Sequence, residues 1–210
     1  MKPIHAILIL IILHTVGWLG LSSDFKDYFL ILTPINLLIS AILALKFQKK
    51  YDKSIILLLI TSFTVGFITE VIGVQTSYLF GNYTYGTAMG PKIMGVPLMI
   101  GINWMILSYC AAEIVQRFMK PSIVRPIMGA SLLLLLDYVL EPVAIKVGFW
   151  WWEGGDVPFY NYVCWFAIGF LLQLLFEKYH KPSNNIVAMW LFVIQFLFFI
   201  CLQNNIHIKL

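Results

Sequence analysis

Seven separate stretches of roughly 20 residues, each almost free of charge, dominate the sequence: near residues 4–21, 28–45, 54–73, 96–115, 123–140, 159–177 and 186–203. A transmembrane helix needs about 20 mostly apolar residues, and backbone placed in lipid must satisfy its own hydrogen bonds. The expected fold class is therefore all-α, a polytopic membrane helix bundle of about seven transmembrane helices. With 60% hydrophobic and 11% charged residues, little is left between the stretches from which a soluble domain could form. The chain thus reads as a single integral membrane domain over residues 1–210. The first stretch could be mistaken for a signal peptide, but no small-residue cleavage site follows it. Trp18 and His14 stand where that site would lie, so a retained helix is expected.

The net charge of +4 is not a nucleic-acid signal, because the basic residues sit in loops. Lys2, Lys46, Lys49, Lys50, Lys53, Arg117, Lys120, Arg125, Lys178 and Lys181 fall on one side of a seven-helix topology. Lys26, Lys92, Lys146 and Lys209 fall on the other. The more basic side should be cytoplasmic. The expectation is an inner (cell) membrane protein with its N-terminus inside and its C-terminus outside. The Gly/Tyr-rich segment 81–90 and the triplet Trp150-Trp151-Trp152 then fall toward the outer face.

The interior contains a weak repeat. Residues 95–104 read GVPLMIGINW and residues 156–165 read DVPFYNYVCW. In both, Val-Pro opens a helix, where proline's missing N–H costs nothing, and Trp104 or Trp165 follows seven residues later. An aromatic, glycine-containing loop precedes each, and before each loop stands a helix ending near a glutamate, Glu70 or Glu141. Helices three and four thus resemble five and six as a parallel helix-pair repeat, and such repeats commonly place a binding site at their interface.

Charged groups inside a bilayer are expensive and are functional candidates by default. Glu70, Asp137 and Glu141 are the three candidate catalytic acids. Asp137 and Glu141 are four residues apart, hence on one helical face, and Pro142 should kink or end that helix. Two carboxylates this close in a low dielectric cannot both ionise cheaply, so one is expected to hold a proton and serve as a general acid. The bland alternative places these acids among headgroups, paired with Lys92 or Lys146. Tyr83, Tyr85, Trp104, Trp150, Trp152 and Trp165 are candidates for stacking on a polyene or facing a carbocation. The Trp triplet could equally be an interfacial belt. Asn103 and Asn161 could hold a water. His5, His14, His180 and His207 form no His-x-x-x-His box, and Cys110, Cys164 and Cys201 have no metal-like spacing, so no metal site is expected. Helix seven has no internal lysine for a retinal Schiff base, and no phosphate-binding Gly loop or Gly-x-Ser-x-Gly elbow is present.

The segments EVIGVQTSYLFGNYTYG (70–86), GPKIMGVPLMIGINW (90–104), LDYVLEPVAIKVGFWWW (136–152) and VPFYNYVCWF (157–166) resemble the CruF-type carotenoid biosynthesis proteins, a family that contains carotenoid hydratases. The likeness covers roughly residues 60–175. It implies addition of water to the terminal double bond of an acyclic carotenoid end group, without a cofactor. The implied partners are a membrane-embedded carotenoid and the bilayer, with other carotenoid-pathway enzymes as further candidates and no nucleic acid. A carotenoid end-group cyclase, which begins with the same protonation, and a non-catalytic carotenoid- or lipid-binding membrane partner remain the alternatives. On the hydratase reading, the Gly/Tyr segment would be a lid, flexible at Gly81, Gly86 and Gly90.

Overall fold

The computed structural model describes residues 1–205. His207, Lys209 and the C-terminus, whose side of the membrane is inferred above, lie outside the described residues. Seven helices follow in chain order: α1 (Pro3–Leu21), α2 (Lys26–Lys46), α3 (Lys53–Thr76), α4 (Leu98–Phe118), α5 (Val124–Val147), α6 (Phe159–Tyr179) and α7 (Ile186–Asn205). All seven are long and apolar enough to cross a membrane, as the hydropathy pattern requires. The fold is a helical bundle of the integral membrane type. Its four short strands are β1 (Tyr83–Tyr85), β2 (Lys92–Ile93), β3 (Val96–Pro97) and β4 (Trp150–Trp152).

Local chemistry sets the helix ends. Asp52 caps α3, its carboxylate accepting from the Ile55 N–H at 3.1 Å. Gly148 ends α5 in the left-handed conformation at φ 80°. Pro97 and Pro158 each stand immediately before their helix, at φ −63° and −65° with extended ψ. Pro142 neither ends nor caps a helix: α5 runs through it to Val147. One lost N–H donor is tolerated there because α5 packs extensively on α6 and also touches α4 and α7.

The repeat is visible in space. α3 packs on α4 and α5 on α6, and these are the two most extensive helix contacts in the molecule. Trp104 and Trp165, seven residues after the matching prolines, stack on each other with ring centroids 4.1 Å apart and planes 18° apart. The loops between the paired helices also meet. β1 and β4 form an antiparallel ribbon with Tyr83 opposite Trp152, Thr84 opposite Trp151 and Tyr85 opposite Trp150. Side chains alternate along a strand, so Tyr83, Tyr85, Trp150 and Trp152 turn inward and are buried while Thr84 and Trp151 face out. α4 is the most enclosed helix, and α2 shows the largest share of its surface. Two apolar clusters form the core. One is built mainly of aliphatic and small residues around Leu107, Leu133 and Leu191; the other is aromatic, around Phe80, Trp104 and Trp150.

Candidate active site

The aromatic cluster encloses the acids. Glu70, Asp137 and Glu141 are 3%, 1% and 1% exposed, so none is a headgroup-zone carboxylate. Glu70 accepts three hydrogen bonds: from the Tyr83 hydroxyl at 2.5 Å and the Tyr85 hydroxyl at 2.7 Å on Oε2, and from Trp104 Nε1 at 3.0 Å on Oε1. Glu141 is held the same way, its Oε2 accepting from Trp150 Nε1 at 3.0 Å and Trp152 Nε1 at 2.9 Å. Asn161 joins the two acids of α5, its Nδ2 donating to Asp137 Oδ2 at 2.9 Å and to Glu141 Oε1 at 3.2 Å. Asp137 Oδ1 is buried with no donor among the described residues.

Every partner of these acids is neutral. Among the described residues the ion pairs are Arg125–Glu177 and His180–Glu113, neither of which involves the three acids. Of the two lysines that could have neutralised them, Lys92 donates from Nζ to Tyr85 O at 2.5 Å, and Lys146 forms no ion pair with them among the described residues. Burial, with the Glu70 carboxylate beside them, pushes the phenols of Tyr83 and Tyr85 well above the ordinary tyrosine range, so both stay protonated donors.

Small residues make this arrangement possible. A Cβ on Gly66 would lie 2.3 Å from the Trp104 side chain, so only glycine on α3 lets that indole reach Glu70. A Cβ on Gly86 would lie 2.2 Å from Gly148 O, and the Gly86 N–H donates to Phe149 O at 2.7 Å. The Gly/Tyr segment is thus a pinned cover: its glycine at residue 86 serves close approach to the ribbon's other half.

A cavity of about 250 Å³ lies against the acids. Glu70, Glu141, Tyr83, Tyr85, Trp150, Trp152, Trp104, Trp165, Asn103 and Asn161 all line it, so the sequence-derived candidates converge on one space. Asp137 is the exception: it is bonded to Asn161 but is not among the residues that line this cavity. Asn161 spends its amide N–H groups on the two acids, whereas Asn103 makes no side-chain hydrogen bond to the described residues. The far wall is α1, α2 and α7, with Val16, Leu32, Ile35 and Ile39 both lining the cavity and exposed on the apolar exterior. The cavity therefore opens sideways past α1 and α2. Among the described residues no three His, Cys, Asp or Glu side chains converge as metal ligands.

Two polar groupings escape the sequence reading. His14, Asn36 and Gln195 also line the cavity; their signal was a lone polar side chain in the middle of an apolar helix. Glu113 is a fourth buried acid, 2% exposed. It accepts from His180 Nε2 at 2.7 Å, Ser183 N at 3.1 Å, Ser183 Oγ at 2.8 Å and Asn185 N at 2.8 Å. That cluster ties the α6–α7 loop to α4, away from the cavity.

A sequence profile of the carotenoid biosynthesis protein family matches residues 27–209. The chain belongs to that family. The match bears out the resemblance carried by the motifs around Glu70, Trp104, Glu141 and Trp165. A bisanhydrobacterioruberin hydratase of Haloarcula japonica is 32% identical over 116 residues, which is 51% of this chain and 40% of that protein. The alignment thus spans well under half of the relative's length. No solved structure matches.

Proposed function

We propose that the protein is a carotenoid hydratase, adding water across the terminal double bond of an acyclic carotenoid end group. The observation that carries this reading is the pair Glu70 and Glu141, two buried carboxyls held only by neutral donors on an aromatic cavity that opens to lipid. Membership of the family and the printed activity of the Haloarcula relative support it. At about 250 Å³ the cavity lies just below the ~300–1,000 Å³ of pockets that hold drug-sized ligands. It suits one end of a long polyene whose remainder lies along the bilayer.

The chemistry follows from the hydrogen bonds. Asp137 and Glu141, one turn apart with no cation near, hold one proton between them. Glu141 faces the cavity and delivers that proton to the less substituted alkene carbon. A C–H bond forms, the π bond breaks and a tertiary cation is left. Glu70, whose three donors stabilise its charged form, supplies negative charge opposite that cation when ionised. The faces of Tyr and Trp rings supply π density. Water attacks the cation, forming the C–O bond of a tertiary alcohol, and its second proton returns to the carboxylates, so the sum is alkene plus water. The residues of this cycle are all side chains. The proposal places the ribbon on the outer face, the N-terminus in the cytoplasm and the substrate's entry in the membrane plane.

The test is pigment analysis after expression in a host that makes acyclic carotenoids. A product heavier by one water is expected. An isomer of unchanged mass identifies cyclisation instead, and unaltered pigment with the protein present in the membrane overturns catalysis.

A further inference from the structure

Hydration consumes one water per turnover, yet the oxygens of the acid cluster are largely taken up by protein donors. The wall of α1, α2 and α7 offers different chemistry. Gln195 is 4% exposed, lines the cavity, and its Oε1 has no donor among the described residues. Asn36 lines the same wall. Its Nδ2 reaches Leu13 O only at 3.5 Å, and its Oδ1 accepts from Ser40 Oγ at 3.3 Å. His14 turns Nδ1 to the Leu10 carbonyl at 2.8 Å. A carbonyl only accepts, so Nδ1 carries the hydrogen and Nε2 is the ring's remaining polar atom. An unsatisfied buried acceptor in hydrocarbon is costly. A hydrocarbon end group cannot relieve it; an O–H can.

Resting on the hydratase reading, we propose that Gln195, with Asn36 and His14, forms a hydroxyl-binding subsite in the wall of the cavity. It takes an O–H donor, either an alcohol carried by the polyene or the water to be added. By position along their helices, Asn36 and Gln195 lie deeper than Glu70 and Glu141, by about 6 Å at 1.5 Å per residue. The subsite thus engages the ligand at a second point and fixes how far its end can advance toward the acids.

The experiment uses the full chain in nanodiscs, wild type and Gln195→Met, which keeps volume while removing the acceptor; Gln195→Leu is the reserve if that variant misfolds. Quenching of the cavity tryptophans reads the affinity of all-trans-retinol against the same polyene lacking its hydroxyl. Turnover of an acyclic carotenoid hydrocarbon is measured in parallel. If the subsite takes a ligand alcohol, wild type prefers retinol by about tenfold and Gln195→Met erases the preference. If it holds water, neither protein has a preference and turnover falls about tenfold in the variant. No preference together with wild-type turnover in Gln195→Met, or no preference in a protein without turnover, overturns the subsite. A retinol preference in a protein that makes no hydrated product overturns the hydratase reading and leaves the subsite standing.

Discussion

Replacing Glu141 by glutamine separates chemistry from folding at this site. The new amide oxygen can keep both indole donors, Trp150 and Trp152, which now reach Glu141 Oε2 at 3.0 and 2.9 Å. The new amide nitrogen then faces Asn161, and donor would meet donor. Turning the Asn161 amide over resolves the clash. Its oxygen then accepts from the new nitrogen, and from Asp137 if that carboxyl holds the proton left on the pair. Every hydrogen bond is restored with one partner reversed, so the fold should lose no more than about 2 kcal/mol. On the proposed mechanism the proton facing the cavity is gone, and with it the general-acid contribution of about 10²–10⁴. Glu141→Gln should therefore accumulate to wild-type levels, elute as one species in detergent, and form hydrated carotenoid at least ~100-fold more slowly, equivalent to about 2.7 kcal/mol of barrier. Product chromatography on equal amounts of membrane protein reads this directly. A folded Glu141→Gln protein working within about threefold of wild type would show that the proton comes from elsewhere.

Four further outcomes follow from the same geometry. Gly66→Ala places a methyl 2.3 Å from Trp104; it should displace that indole from Glu70 and destabilise by about 1–3 kcal/mol, visible as a lower midpoint in thermal unfolding. Trp104→Phe keeps a ring against Trp165 but removes one donor to Glu70. Carotenoid conversion should fall by about tenfold, with a smaller loss of stability than Gly66→Ala. Glu113→Ala strands the donors on His180, Ser183 and Asn185; a loss of about 3–5 kcal/mol is expected, read as poor recovery from detergent, whereas a stable variant would contradict the anchoring role. Trp151 is half exposed beside the buried ribbon face, so Trp151→Cys should react with a membrane-impermeant maleimide in intact cells while Lys49→Cys does not; the reverse pattern would invert the proposed sidedness.

The helices were legible because length and hydropathy alone specify them. The exceptions have local causes. α5 outruns its apolar stretch by a full turn or more because Glu141 to Val147 mix charge with apolar residues and contain Pro142, signals that normally end a helix. The acids were legible as intramembrane charges, and the Val-Pro and Trp spacing tied Glu70 to Glu141. What no spacing could show is the ribbon. Three-residue strands carry no periodicity, and Tyr83–Tyr85 finds its partner across two intervening helices. Glu113 was hidden for another reason: with Arg117 a turn on, it reads as an interfacial charge. His14, Asn36 and Gln195 were single polar letters in apolar runs, and only their convergence on one cavity makes them a group.

The ribbon also orders the protein's birth. Tyr83–Tyr85 leaves the ribosome before α4 and α5, whereas Trp150–Trp152 follows them. During insertion, Glu70 can gather its phenols and the Trp104 indole while the strand edge beside them has no mate. The site closes only when the hairpin of α5 and α6 has entered the bilayer and β4 slides alongside. A chain stalled before that point presents a buried-to-be acid and an unpaired edge to the surrounding lipid and translocation machinery. Truncations ending after α4 should accordingly be recognised as unfinished and degraded, and the two halves, made as separate polypeptides, should survive only when both are present.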